Sequence, residues 1–446
     1  MLADAASNLS TLFIHLEEYV KHRVEKSLEL DTITPLPDIV IEPGEQYPLN
    51  NLILQYDLSD DEIIMLLTAL TPHIHPGFFD GILDEYFPDL TEFFDFGGVK
   101  GKNQLGLLPT GTTALFLIAG NNDVDKLTKR DLLEHDSKLF ELGLLRLGEV
   151  PYGEPRLSGL LILEHEYLHL VTTGQLIKPD LSPSFPASLI NTELEWEDLV
   201  LKQDTLDEIL ELQTWLTHNN TLMEDWGMAG KIKPGYRVMF YGPPGTGKTM
   251  TASLLGKYTN RDVYRIDLSM VVSKYIGETE KNLSSLFNKA KNRDWILFFD
   301  EADAIFGKRT NVRDAHDKYA NQEVSYLLQQ IEAHPGLIIL ASNFKNNIDE
   351  AFTRRFNSIV EFETPDYEQR LELWQRSLPE NAILGENISL EEFAAEFEIT
   401  GANILNIIHY ACLKQLETGS PTLEYEYLID GVRREYTKEG RLISSM

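Results

Sequence analysis

Eight consecutive residues, Gly242, Pro243, Pro244, Gly245, Thr246, Gly247, Lys248 and Thr249, place glycines, a cation and a hydroxyl in the spacing G-x-x-x-x-G-K-[ST]. Glycines let a loop curl until several backbone N–H groups converge on one anion, the lysine adds positive charge, and the threonine offers a hydroxyl to a divalent cation. That chemistry is the holding of phosphates. Two adjacent carboxylates, Asp300 and Glu301, close the apolar run Ile296-Leu-Phe-Phe299. At a strand tip the first can hold Mg²⁺ through water, and the second can orient and polarise the water that attacks a γ-phosphate. Asn343 follows a further apolar run and can align the same water; Arg354 and Arg355 lie a short way beyond it. A guanidinium pair suits a phosphate presented across a subunit boundary. Each group also has a plainer use: a glycine turn, acids that cap the next helix, an arginine pair on a solvated surface.

The residues around these groups must supply the scaffold. Arg237–Tyr241 reads as a short buried strand, and Met250–Tyr258 as a helix whose positive end faces the loop. Val263–Ile266, Trp295–Phe299, Leu337–Ala341 and Ser358–Phe362 are four more short apolar runs. Between them Leu283, Leu286, Phe287 and Ala290, then Val324, Leu327, Leu328 and Ile331, fall at helical spacing. Near-continuously apolar strands alternating with helices predict an α/β fold with a parallel sheet covered on both faces. After Pro365 the face Ile404, Ile407, Ile408 and Ala411 predicts a small helical lid.

The first 190 residues differ. An amphipathic helix to about Leu30 carries Leu9, Leu12, Phe13, Leu16 and Val20; a proline-rich connector follows, then a helix behind the capping box Ser59-Asp-Asp-Glu62. Further helical patterns run over Thr112–Ala119 and Lys129–Leu142, and Leu144–Leu147 and Leu157–Leu163 read as two strands. Helices followed by a hairpin predict a mainly helical, winged-helix-like domain. The expected division is 1–190 for that domain, 191–365 for the α/β domain and 366–446 for the lid.

Composition narrows the function classes. With 39 basic against 71 acidic residues the chain carries a net charge of −32, which disfavours nucleic acid and anionic membrane surfaces as partners. The single cysteine, Cys412, rules out an intramolecular disulfide and a cysteine-based zinc site. The start of the chain does not read as a signal peptide, and no apolar run approaches the roughly 20 residues of a membrane span. A cytoplasmic protein is the expectation.

Taken together, residues 195–446 resemble the AAA+ ATPases, in the branch of oligomeric substrate-remodelling machines. The loop 242–249 matches Walker A, Ile296-Leu-Phe-Phe-Asp-Glu-Ala-Asp303 matches Walker B, and Ser342–Phe356 matches the second region of homology. The resemblance implies ATP and Mg²⁺ as cofactors and a homo-oligomer, most often a hexamer. It gives Gly242–Thr249 and Met250 to the nucleotide, Thr249 and Asp300 to the metal, Glu301 and Asn343 to catalysis, and Arg354 and Arg355 to the neighbour's nucleotide as arginine fingers. Gly401 and Ala402 match the Gly-Ala of the lid helix near the adenosine; no sensor 2 arginine is evident there. Lys274, Tyr275, Ile276 and Gly277 match the pore loop with which ring translocases grip a threaded polypeptide, a contact that needs no sequence code because an aromatic ring packs on any chain. Residues 307–316 could form a second pore loop.

A narrower resemblance, carried also by Lys318-Tyr-Ala-Asn-Gln322, Phe185–Ile190 and Leu194–Asp198, is to the ATPases that accompany bacterial extracellular contractile injection systems. It implies a protein substrate or particle component as partner, in assembly, cargo loading or sheath handling. Two alternatives stay open. His165-Glu-Tyr-Leu-His169 matches H-E-x-x-H, the helix of zinc proteases, with Glu193 or Glu195 as a third ligand. A winged helix suggests a nucleic-acid-associated ATPase by analogy alone.

Overall fold

A computed structural model describes residues 2–44, 46–88, 93–134, 136–175, 177–182, 185–271, 278–303, 315–343, 354–419 and 422–441. The chain divides into two units, Met1–Pro179 and Asp180–Met446.

In the first unit Leu2–Ser27 buries Leu12, Phe13, Leu16, Val20 and Val24 against the helix Asp60–Ile74, which lies almost wholly in the core. Ser59 caps that helix as expected, and Glu62 does more than close the box. Its carboxylate accepts from Ser59 N and Oγ and also from Ser137 Oγ and Lys138 N. Burial pushes this carboxyl up, yet four hydrogen bonds to the ionised form outweigh it and hold Glu62 below the usual carboxylate range. The strands Leu145–Leu147 and Leu161–Leu163 pair antiparallel. The expected helix over 129–142 is instead a 3-10 turn, Arg130–Leu133, and a single helical turn, Lys138–Glu141. Docking of Ser137 and Lys138 on Glu62 overrides the local pattern there.

The second unit holds a six-stranded sheet in the order Ser358–Glu361, Tyr236–Tyr241, Leu337–Ser342, Ile296–Phe299, Val263–Ile266, Ala187–Ile190. The first five of these are parallel and the last is antiparallel. Every residue of Ile296–Phe299 and Leu337–Ser342 is buried, which explains why the runs read as continuous rather than alternating. Two apolar clusters cover the two faces, one with Leu286, Phe287 and Leu327, the other with Ile209, Leu212 and Ala252.

The edge strand corrects the expected boundary at 190. Ala187–Ile190 pairs with Val263–Ile266, Ser188 opposite Arg265, so residues 180–190 belong to the second unit. The backbone ladder to an otherwise open sheet edge decides the matter. The lid has its own core around the fully buried Trp374, built by Tyr367–Ser377, Leu390–Glu396, Gly401–Thr418 and Tyr425–Lys438.

Candidate nucleotide site

The loop 242–249 joins the strand Tyr236–Tyr241 to the helix Lys248–Thr259. Its glycines are demanded by geometry. Gly242 has φ +149°, and a Cβ there would meet Phe362 O at 1.9 Å. Gly245, at φ +77°, lies so close to the lid that a Cβ would stand 2.6 Å from Ala402 Cβ. Gly247 sits in the left-handed region at the start of the helix.

Lys248 is 7% exposed, and its Nζ donates to Gly242 O at 2.7 Å, Pro243 O at 2.8 Å and Asn343 Oδ1 at 3.3 Å. Burial pulls this ammonium below its usual range, against the pull of Asp300 and Asp303 upward. A buried cation among carbonyl oxygens, at a helix N-terminus, is a site in want of an anion.

Asp300 and Glu301 stand at the end of Ile296–Phe299. Glu301 is exposed with φ +52°, and its N–H is bonded to Asp300 Oδ1 at 3.0 Å. A left-handed glutamate is uncommon and turns its carboxylate out of the strand line. Ser342 Oγ donates to Asp303 Oδ1 at 3.1 Å, and Ala302 N to Ala341 O at 2.8 Å, which fasten this turn to the strand that leads into Asn343.

One cavity of about 650 Å³ gathers these groups: Pro244–Met250, Asp300, Glu301, Asn343, Gly401 and Ala402 all line it. Gly242 and Pro243 stand behind it and receive Lys248. The lid helix Gly401–Thr418 begins at the loop, where Ala402 N approaches Gly245 O at 3.3 Å and the Thr400–Asn403 capping box sets its first turn. Glycine cradle, buried ammonium and converging helix ends fit a triphosphate; the Thr249 hydroxyl and the Asp300 carboxylate are the hard oxygen donors that Mg²⁺ takes.

Sequence reasoning missed a wall of the cavity. Leu194 and Asp198–Lys202 line it together with the lid residues Leu373, Arg376 and Leu405. The only signal was the mixed run Trp196-Glu-Asp-Leu-Val-Leu201, too short for a periodicity argument.

Arg354 and Arg355 do not reach this cavity. Both are exposed and line another one, of about 560 Å³, with Trp215, Lys233, Glu332 and Phe356. Arg355 pairs there with Glu332, which Lys233 also approaches at 3.7 Å. Lys274, Tyr275, Ile276 and Gly277 lie outside the described residues, as does most of the segment 307–316.

Residues 238–364 match the ATPase family associated with various cellular activities (AAA). The chain carries an AAA ATPase domain. ATPases of this family bind ATP with Mg²⁺, the pair that the donor set fits. The chain is similar to a cell division cycle protein 48 homolog of Archaeoglobus fulgidus, 28% identical over 55% of this chain and 33% of the relative. It is also similar to the vesicle-fusing ATPase of Arabidopsis thaliana, 33% identical over 44% and 29%. A proteasome-activating nucleotidase of Saccharolobus solfataricus is 29% identical over 48% and 56%. The chain thus spans from about a third to about half the length of these relatives.

The zinc alternative finds little support in the geometry. His165 and His169 stand edge to face with ring centroids 5.9 Å apart, but Glu166 is turned into the core. Glu195 is engaged by Lys257 and Tyr258 instead. Among the described residues, no group of three or more His, Cys, Asp or Glu side chains is placed to hold a metal ion. No described helix is long and apolar enough to cross a membrane.

Proposed function

We propose that this chain hydrolyses ATP as a subunit of a ring and uses the cycle to remodel or thread protein substrates. The observation that carries the reading is a cavity lined by Pro244–Met250, Asp300, Glu301, Asn343, Gly401 and Ala402 but not by the two arginines. A site whose arginines line a different cavity of the same subunit is completed by a second copy.

Mg²⁺-bound ATP supplies the phosphoanhydride whose cleavage releases energy. The chain's own residues then have distinct tasks. Backbone N–H groups of Gly245–Thr249 and the Lys248 ammonium bind the phosphates, Lys248 exchanging the loop carbonyls for phosphate oxygens. Thr249 and Asp300 hold the metal. Glu301 takes up the proton of the attacking water while Asn343 fixes its direction. Arg354 and Arg355 balance charge on the neighbour's γ-phosphate, and Tyr275 grips the substrate. A relative named for activating the proteasome supports the remodelling role. Service to a contractile injection particle rests on the narrower sequence resemblance, a hexamer on the broader AAA+ resemblance, and a cytoplasmic setting on composition.

Mixing tests the shared site. Glu301→Gln and the double variant Arg354→Ala/Arg355→Ala should each be nearly inactive alone. Combined in equal amounts they should regain ATPase activity, because some interfaces then pair an intact Glu301 with intact arginines. No recovery on mixing would sink the ring. A Tyr275→Ala ring should keep its ATPase rate and lose substrate remodelling.

A further inference from the structure

The wall of the cavity formed by Leu194 and Asp198–Lys202 is not held by the sheet alone. Lys257, in the last turn of the helix Lys248–Thr259, donates to Leu194 O at 2.8 Å, to Glu193 O at 3.3 Å and to Glu195 Oε1 at 2.8 Å. The neighbouring Tyr258 hydroxyl donates to Glu195 Oε2, and its ring lies 5.7 Å from that of Trp196. Glu195 in turn donates its backbone N–H to Asp198 Oδ2 at 2.8 Å, closing the 3-10 turn Trp196–Asp198. Asp198, like Leu194 before it, lines the cavity. Beyond it Leu199 lies against the phosphate loop, where a Cβ on Gly247 would stand 2.8 Å from Leu199 Cδ1. At the far end Lys202 pairs with Glu363, and Thr205 Oγ1 donates to Glu361 O at 3.0 Å.

The segment 193–202 is therefore a strap laid along one helix. Its wall section meets the end of that helix that faces the phosphates, and its anchor is the other end. Three donor contacts from one ammonium, a tyrosine hydroxyl and a ring contact all converge on Glu193–Trp196, a concentration that a solvent-facing loop does not need. Phosphate loop and strap are thus both joined to one helix, and loop, strap and lid together line the cavity. A triphosphate fixed on the loop projects its nucleoside into the space that strap and lid enclose.

We propose that Lys257 and Tyr258 are positioning residues for the nucleotide, holding the strap 193–202 in place as the wall against which a nucleoside packs. The proposal rests on the nucleotide reading above. Neither side chain lines the cavity, so both act through Glu195 and the backbone of the strap.

The test is ADP binding by calorimetry in the presence of Mg²⁺, with the full chain. Lys257→Met should raise the ADP dissociation constant about fivefold, the size that loss of one exposed ion pair and its hydrogen bonds allows, and adding Tyr258→Phe should raise it further. Lys257→Arg keeps several donors in reach of the same oxygens and should bind within about twofold of wild type. The thermal midpoint of the nucleotide-free protein should stay within a few degrees in all three, which separates positioning from general loss of structure. Unchanged ADP affinity in Lys257→Met/Tyr258→Phe overturns the strap, as does a loss that Lys257→Arg shares or that follows a collapsed midpoint. Failure of the wild-type protein to bind ADP overturns the nucleotide reading itself.

Discussion

At the scale of single residues the site is a set of groups kept in unfavourable circumstances. Lys248 is a buried ammonium that burial pulls toward neutrality, and Glu301 occupies a left-handed backbone conformation. Such costs, of order 1–3 kcal/mol for a strained backbone position, persist where the surrounding fold over-determines them. The expected consequence for Glu301→Gln is separation of binding from chemistry. The amide cannot take up a proton, so turnover should fall at least about a hundredfold, while ADP affinity stays within a few-fold because the phosphate contacts come from elsewhere. A Glu301→Gln protein that hydrolyses ATP at the wild-type rate removes Glu301 from catalysis. The five loop glycyl and prolyl residues, Asp300, Glu301 and Asn343 were all legible from side-chain chemistry and spacing. The pairing of Arg355 with Glu332 was not, because Glu332 is one acid among many on a helix.

At the scale of elements, function depends on how closely the loop and the lid helix approach. Gly245 is the point of closest apposition. Gly245→Ala puts a methyl group 2.6 Å from Ala402 Cβ and 2.7 Å from Thr400 Oγ1, at a φ that alanine resists. The lid must back away, and ADP binding should weaken by about tenfold or more. Gly227→Ala is the matched control, with φ +68° and open space around its Cβ. It should cost about 1 kcal/mol of stability from the backbone alone and leave ADP binding intact. Equal binding by both variants in calorimetry would show that lid apposition does not govern the site. The helices and parallel strands here were readable because periodicity and unbroken apolar runs are local signals. The antiparallel edge strand Ala187–Ile190 was not, since four residues gain their identity only from a partner some seventy positions away.

At the scale of the whole molecule, acid stability has an identifiable contributor. His334 is 4% exposed, and desolvation, together with Arg237 and Lys291, holds its imidazole down at about 4 against an ordinary 6.5. In the unfolded chain His334 takes its proton near 6.5, whereas the folded protein resists until about pH 4. Stability from this group is thus fully present above the unfolded value and is lost as pH falls through the window between the two. The loss amounts to roughly 3 kcal/mol. Denaturant titrations at a series of pH values should show a shallower acid slope between pH 6.5 and 4 for His334→Gln, even though the variant is less stable at neutral pH. An unchanged slope would place the acid sensitivity in other groups.

What the amino-acid order alone determined is the chemistry: a phosphate cradle, two carboxylates, an amide and a pair of arginines, with strands and helices of the right period to carry them. These are properties of neighbours in the chain, and local spacing records them. The tertiary structure decided what neighbours cannot encode. It joined Gly401 and Ala402 to a loop more than 150 positions earlier, kept Arg354 and Arg355 out of the cavity that holds Asn343, and revealed the strap 193–202 as its missing wall. The reason is physical. A wall or a gap is fixed by packing and hydrogen bonds between distant segments, and the residues that fix this one, Lys257 and Glu195, look in sequence like any exposed pair of opposite charge.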